Sequence, residues 1–142
     1  MEDLSKYEDD FFVFLETGFI AINQADEDSA VKLFKICEMM KPNNSLIKTG
    51  LGYLHLHKLE LKAAAECFRE VLQAHPQDEM AQTFLGITLA LTPTQTTEGE
   101  KLLEKSATKS SDSQIKKVAN TSLDFVERFV KRAPGPAEIK RK

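Results

Sequence analysis

The residues capable of acid–base, nucleophilic or metal chemistry are few and poorly placed for one another. His55 and His57 stand two apart in a stretch with helical periodicity, so their side chains leave on different faces, and His75 stands beside Pro76 at the end of another such stretch. With Cys67 they make no zinc-ligand spacing. Cys37 and Cys67 sit among apolar residues, as buried free thiols do, and two cysteines are too few for a disulfide scaffold. The acidic runs at 8–10 and 26–28 lack the glycine and twelfth-position glutamate of a calcium loop and read as solvated charge or helix caps. Gly50-Leu51-Gly52 lacks the later glycine and preceding strand of a dinucleotide loop. No phosphate-loop lysine motif occurs, and no serine has the partners of a nucleophile. Catalysis is therefore not expected, and neither a metal nor a cofactor is implied.

Composition points the same way. The chain has 142 residues, 42% of them hydrophobic and 29% charged, with a formal net charge of -3, the profile of an ordinary one-domain globular protein large enough to build a core. Charge is unevenly spread: residues 1–28 hold nine acids against Lys6 alone, residues 128–142 hold six bases against Glu138, and the middle is neutral. The basic residues gather in the tail without interleaved aromatics, so no nucleic-acid partner is expected. No apolar run approaches the roughly 18 residues of a membrane span. Met1-Glu2-Asp3 is acidic where a secretory signal is basic, so a cytoplasmic location is expected.

What must position any functional residue is a repeat. Gly18, Gly52 and Gly86 lie 34 residues apart in both intervals. Ala30 and Ala64, Phe34 and Phe68, Pro42 and Pro76, and Leu51 and Leu85 keep the same step. Each unit reads as two helices. The first is apolar from Phe11 to Ile22, and Asp26-Glu27-Asp28 caps a second over about 27–40, which Pro42 stops. Asn43-Asn44-Ser45 starts a third, to about His57, and a fourth reaches about Ala74 before Pro76. Asp78 caps a fifth through about Leu91, and a sixth runs from about Thr96 to Thr108. Ser111-Asp112-Ser113 caps a last helix over about 113–131 with one apolar face. Segments 1–10, acidic, and 132–142, basic and proline-containing, are expected to be flexible.

A 34-residue helix-turn-helix unit with Gly in its first helix, Ala and Phe in its second and Pro at its end is similar to the tetratricopeptide repeat. The resemblance implies an all-α, right-handed solenoid over 11–131, with repeats at 11–44, 45–78 and 79–112 and a capping helix at 113–131. The third unit departs from the pattern: it needs one extra residue near Thr94 to bring Gly99, Leu103 and Ser106 into phase, and Ser111 replaces the closing proline. Only Phe14 supplies an aromatic at the usual opening position. The resemblance also implies a concave groove lined by the first helix of each repeat. Its positions here are Phe12, Leu15, Phe19 and Ile22, then Leu46, Thr49, Tyr53 and Leu56, then Met80, Thr83, Ile87 and Ala90. Ten of these twelve are apolar and none is charged, which suits the apolar face of a partner helix and excludes the acidic peptides that need basic residues there.

A small three-repeat protein of this character resembles the chaperones of bacterial type III secretion. That resemblance implies a protein client, a secreted needle or translocator subunit, held in the groove so that it does not assemble early. Phe11, Phe12, Phe14 and Phe19 surround nearly the whole first helix, so a second copy forming a homodimer, a co-chaperone, a folded-back terminal segment or the client is expected to cover part of it. The alternative is a scaffold joining two proteins through its convex face or charged ends.

Overall fold

Seven α-helices and no strand occupy the described residues, 5–132, of the computed structural model: α1 (Phe11–Asn23), α2 (Glu27–Met40), α3 (Ser45–His57), α4 (Leu61–Ala74), α5 (Glu79–Ala90), α6 (Thr96–Lys109) and α7 (Ser113–Phe125). The chain is all-α. A 3-10 turn, Ser5–Asp10, precedes α1, and a π-helical turn, Val126–Lys131, follows α7. The last helix therefore changes its winding at Val126 where one continuous helix is expected over 113–131. Residues 1–4 of the acidic segment and 133–142 of the basic tail lie outside the described residues.

Helix starts follow side-chain caps. The Asp26 carboxylate accepts from Ser29 N–H at 3.1 Å, the Asn44 carbonyl oxygen from Leu46 N–H at 2.9 Å, Asp78 from Ala81 N–H at 2.9 Å and Asp112 from Gln114 N–H at 2.8 Å. Each satisfies a donor that the first helical turn leaves without a partner. Hydrogen bonding from Ser29, its side chain first and its backbone N–H second, holds the Asp26 carboxyl below its ordinary pKa.

Helix ends repeat as well. Ala25 and Leu59, 34 apart, both take a left-handed backbone, with φ of 59° and 58°. Around each, the same pair of bonds closes the helix: Asp26 N–H to Ala21 O and Ala25 N–H to Ile22 O, then Glu60 N–H to His55 O and Leu59 N–H to Leu56 O. This is the Schellman arrangement, made here without glycine. Lys41 and His75, also 34 apart, end α2 and α4 with nearly identical dihedrals, φ/ψ of -136°/82° and -134°/77°.

The chain divides into two compact units, one ending at Ala81 and one beginning at Gln82. In the first, α1 and α2 form one hairpin, α3 and α4 a second, and α3 packs on both α1 and α2. Its interior holds Phe11, Leu15, Ile22, Ala30, Phe34, Cys37, Ile47 and Leu54. Burying a side chain of this size contributes about 1.5–3 kcal/mol. Phe34 is central, because its ring meets the backbone of α1 at Gly18 and of α3 at Gly50. Phe68 of α4 makes the corresponding contact with Gly52 of α3, one period after the meeting of Phe34 and Gly18.

In the second unit α5 lies against α6 and α6 against α7. Leu103 meets Gly86, and Gly99 passes so close to Ala90 N that a side chain at 99 has no room. Thr83 donates to Ser106 Oγ at 2.9 Å inside this pair. Ala90, Leu103 and Val126 are buried together, with Ile87, Leu123 and Val130 packed against them. Lys131, in the turn after α7, reaches Glu100 of α6 and Glu127 of its own turn, at 3.3 Å each.

Candidate functional site

Several titratable side chains are engaged in structural pairs. His55 Nδ1 lies 2.9 Å from Glu60 Oε1, and Lys58 reaches Glu27 at 2.8 Å and Glu60 at 3.5 Å, so this network ties the turn after α3 to the start of α2. The hydrogen bond to His55, aided by Lys58, draws Glu60 below the ordinary carboxylate range. Burial raises the thiols of Cys37 and Cys67 above their ordinary value, the opposite of what a thiolate nucleophile needs. Among the described residues no three or more His, Cys, Asp or Glu side chains form a group that could hold a metal ion. What the surface offers is shape and apolar area.

The first such surface is built by α1 and α3. Phe19 and Tyr53 meet with ring centroids 5.4 Å apart. Phe19 also rests edge-on against Phe34 at 5.8 Å, and His57 against Tyr53 at 4.5 Å. The Tyr53 hydroxyl donates to Asn23 Oδ1 at 2.7 Å, which fixes the ring while leaving it half-buried. Partial desolvation raises the phenol pKa despite that bond, so Tyr53 stays neutral over the physiological range.

The twelve groove positions inferred from sequence divide by burial. Leu15, Ile22, Thr49, Leu56, Thr83 and Ala90 are buried and belong to the interior. Phe19, Leu46, Tyr53 and Ile87 are half-buried, and Phe12 and Met80 are exposed. Of these twelve, Phe19 and Tyr53 are joined by ring contact. Ile87 lies in the second unit, in an apolar pocket of about 290 Å³ with Leu91, Thr121, Ser122, Phe125 and Val126. Phe125 and Phe129, exposed and 5.2 Å apart, continue the apolar surface of that unit. Sequence reasoning treated α7 as a cap and missed this aromatic pair, although the four-residue spacing of 125 and 129 carries the signal.

The outward side of α1 is the second apolar surface. Phe12, Val13 and Ile20 are exposed at 58%, 59% and 47%. One period later the same places on α3 are Leu46, Ile47 and Leu54, and there Ile47 and Leu54 are only 4% and 7% exposed. In α3 this side is covered by the preceding hairpin, and α1 has no preceding hairpin among the described residues. Lys41 partly shields its start, with the ammonium 5.1 Å from the Phe11 ring and 5.5 Å from the Phe12 ring.

A third feature lies on the side of α3 roughly opposite Thr49, Tyr53 and Leu56. Between α2, α3 and α4 a cleft of about 520 Å³ opens over Val31, Phe34, Ile47, Leu51, Val71 and Ala74. Lys35, Glu38, Lys48, Glu70 and His75 stand around it. Lys48 bridges to Glu70 at 3.0 Å, and that bond holds its ammonium above the usual pKa. Sequence reasoning missed this cleft because its lining comes from three helices and no single row of residues reveals it. No helix of the described residues is long and apolar enough to cross a membrane. No family model, curated protein or solved structure matches the chain.

Proposed function

We propose that this protein is a tetratricopeptide-like binding module that works in the cytoplasm as a chaperone of type III secretion, holding an amphipathic helix of a needle or translocator subunit. The observation that carries the reading is the Phe19–Tyr53 pair, an aromatic surface presented by two successive first helices and left half-buried. A partner helix that laid its apolar side there would exchange water for ring contact, the helix-in-groove mode of recognition. The 34-residue recurrence of the Ala25 and Leu59 turns, of the Lys41 and His75 ends and of the Gly–Phe contacts supports the repeat on which this reading depends.

The open side of α1 supports a second docking surface, for a co-chaperone or a second copy. Since α3 uses the equivalent side to pack on a helical hairpin, the chemistry at Phe12, Val13 and Ile20 suits a hairpin-like partner. Co-expression with the products of neighbouring genes tests both surfaces. Tyr53→Glu is expected to abolish co-purification of the secreted subunit and leave the helical CD spectrum unchanged, whereas Ile20→Asp is expected to release only the other partner. Full retention of both partners by both variants would contradict the reading.

A further inference from the structure

We propose that the open side of the α1–α2 hairpin binds a second copy of this chain head to tail, on the aromatic side of that copy's α7. The pairing rests on the reading of the α1 side as a docking surface and is independent of any client at Phe19 and Tyr53. Beyond Phe12, Val13 and Ile20, the open side includes Ile36 of α2, which is also exposed. One period later the places of Ile36 and Met40 are taken by Glu70 and Ala74, both of which line the cleft that faces α2. The uncovered hairpin therefore carries larger and more apolar side chains than the covered one. A stack of repeats that ends in water ends on polar residues, whereas a contiguous exposed apolar surface marks an interface.

The complementary surface belongs to the second unit. Val118, Phe125 and Phe129 are exposed, and their spacings of seven and four put them on one side of α7 and the turn after it. The apolar pocket of about 290 Å³ that Ile87, Leu91 and Phe125 line opens beside them. It offers a hole for a projecting side chain such as Phe12 or Ile20 of another copy.

Charge selects the pairing. Residues 1–41 hold ten acids against four bases, Lys41 among them, and residues 113–142 hold eight bases against three acids. These signs stand with every opposing charge counted, including Asp124 and Glu127, which pair with Arg128 and Arg132. They also flank the apolar residues: Asp9 and Asp10 are exposed just before Phe12, and Arg128 and Arg132 lie on either side of Phe129 in sequence. Either side paired with its own copy would set like charges against each other, whereas one side on the other brings opposite charges together. Contact between two different patches is a heterologous interface, which leaves one of each free at the ends of an open assembly.

The test is analytical ultracentrifugation of the full chain alone, at several concentrations and salt levels. Wild type is expected to form species beyond the monomer whose share grows with concentration and falls as salt rises. Ile20→Asp and Phe129→Asp, both at exposed positions, are each expected to weaken association by about tenfold or more while staying as helical as wild type by CD. Mixed together, the two variants are expected to form a dimer and nothing larger, because the first keeps its α7 side intact and the second its α1 side. Tyr53→Glu is expected to associate as wild type does, so that failure here and failure of the chaperone reading are distinguishable. A wild type that stays monomeric at every concentration would overturn the proposal. Association that survives Phe129→Asp would do the same and would show α1 pairing with its own copy. A mixture of the two variants that remains monomeric would also overturn it.

Discussion

The ring of Phe34 occupies the space that a side chain at Gly50 would need, since a Cβ built there would lie 2.7 Å from its Cζ. The same ring is 2.7 Å from the corresponding point at Gly18 on the other side, so it cannot retreat. Exposed helical glycines gain about 1 kcal/mol on replacement by alanine. At Gly50 the clash outweighs that gain, because overpacking a core costs about 1–3 kcal/mol. Gly50→Ala is therefore expected to lower stability in urea unfolding, and an unchanged or higher midpoint would show that α1 and α3 are not clamped on Phe34.

Leu59 presents the opposite case. It is exposed and left-handed, a conformation that costs a side-chain-bearing residue about 1–2 kcal/mol and costs glycine nothing sterically. Glycine's extra freedom in the unfolded chain offsets part of the gain. Leu59→Gly is expected to raise stability by roughly 0.5–1 kcal/mol in the same measurement. Ala25→Gly is expected to act in the same direction, because it closes the equivalent turn.

Glu60 links stability to pH. Its pKa in the folded protein is depressed from the ordinary 4.5, chiefly by the hydrogen bond to His55. A depressed carboxylate stabilises the fold above its unfolded pKa, and that contribution is lost as pH falls through the folded value. Wild type is thus expected to exceed Glu60→Gln in stability at pH 7, by a small margin that salt reduces and that disappears as pH falls below the ordinary 4.5 and through the folded value. A difference that persists in acid would mean that the side chain acts through something other than its charge.

Thr83 and Ser106 bond to each other inside the α5–α6 pair. Thr83→Val keeps the shape and removes the donor, leaving the Ser106 hydroxyl buried. A loss of about 1–3 kcal/mol is expected. The double variant with Ser106→Ala should recover part of it, which a double-mutant cycle in urea measures.

Much of this fold is legible in the sequence because its punctuation is chemical. Asp26, Asn44, Asp78 and Asp112 cap helices where caps are expected, and α2 and α4 end just before Pro42 and Pro76. The extra residue of the third unit is also where the sequence requires it: α6 begins 35 residues after α4, and Leu103 takes the place against Gly86 that Phe68 takes against Gly52. Gly50-Leu51-Gly52, uninformative as a binding motif, turns out to be two packing sites, one for Phe34 and one for Phe68.

The binding surfaces are less legible, for a physical reason. Leucine and isoleucine serve a core and a groove equally well, so Leu15 and Ile22 could not be told from surface residues such as Phe12 before their burial was known. The α2–α3–α4 cleft depends on the spatial meeting of Lys35, Leu51 and Ala74 from three helices. The change of winding at Val126 has no proline or glycine to announce it.

The central claim, that the Phe19–Tyr53 surface holds the apolar side of a secreted subunit's helix, is tested most directly by co-purification from cells that express the chain with that subunit. The account predicts a stable complex with wild type and its loss in Tyr53→Glu, with the variant still helical by CD and folded, though with a lower urea midpoint because the contacts to Phe19, His57 and Asn23 are lost. A complex that survives Tyr53→Glu intact, in a folded variant, would contradict it.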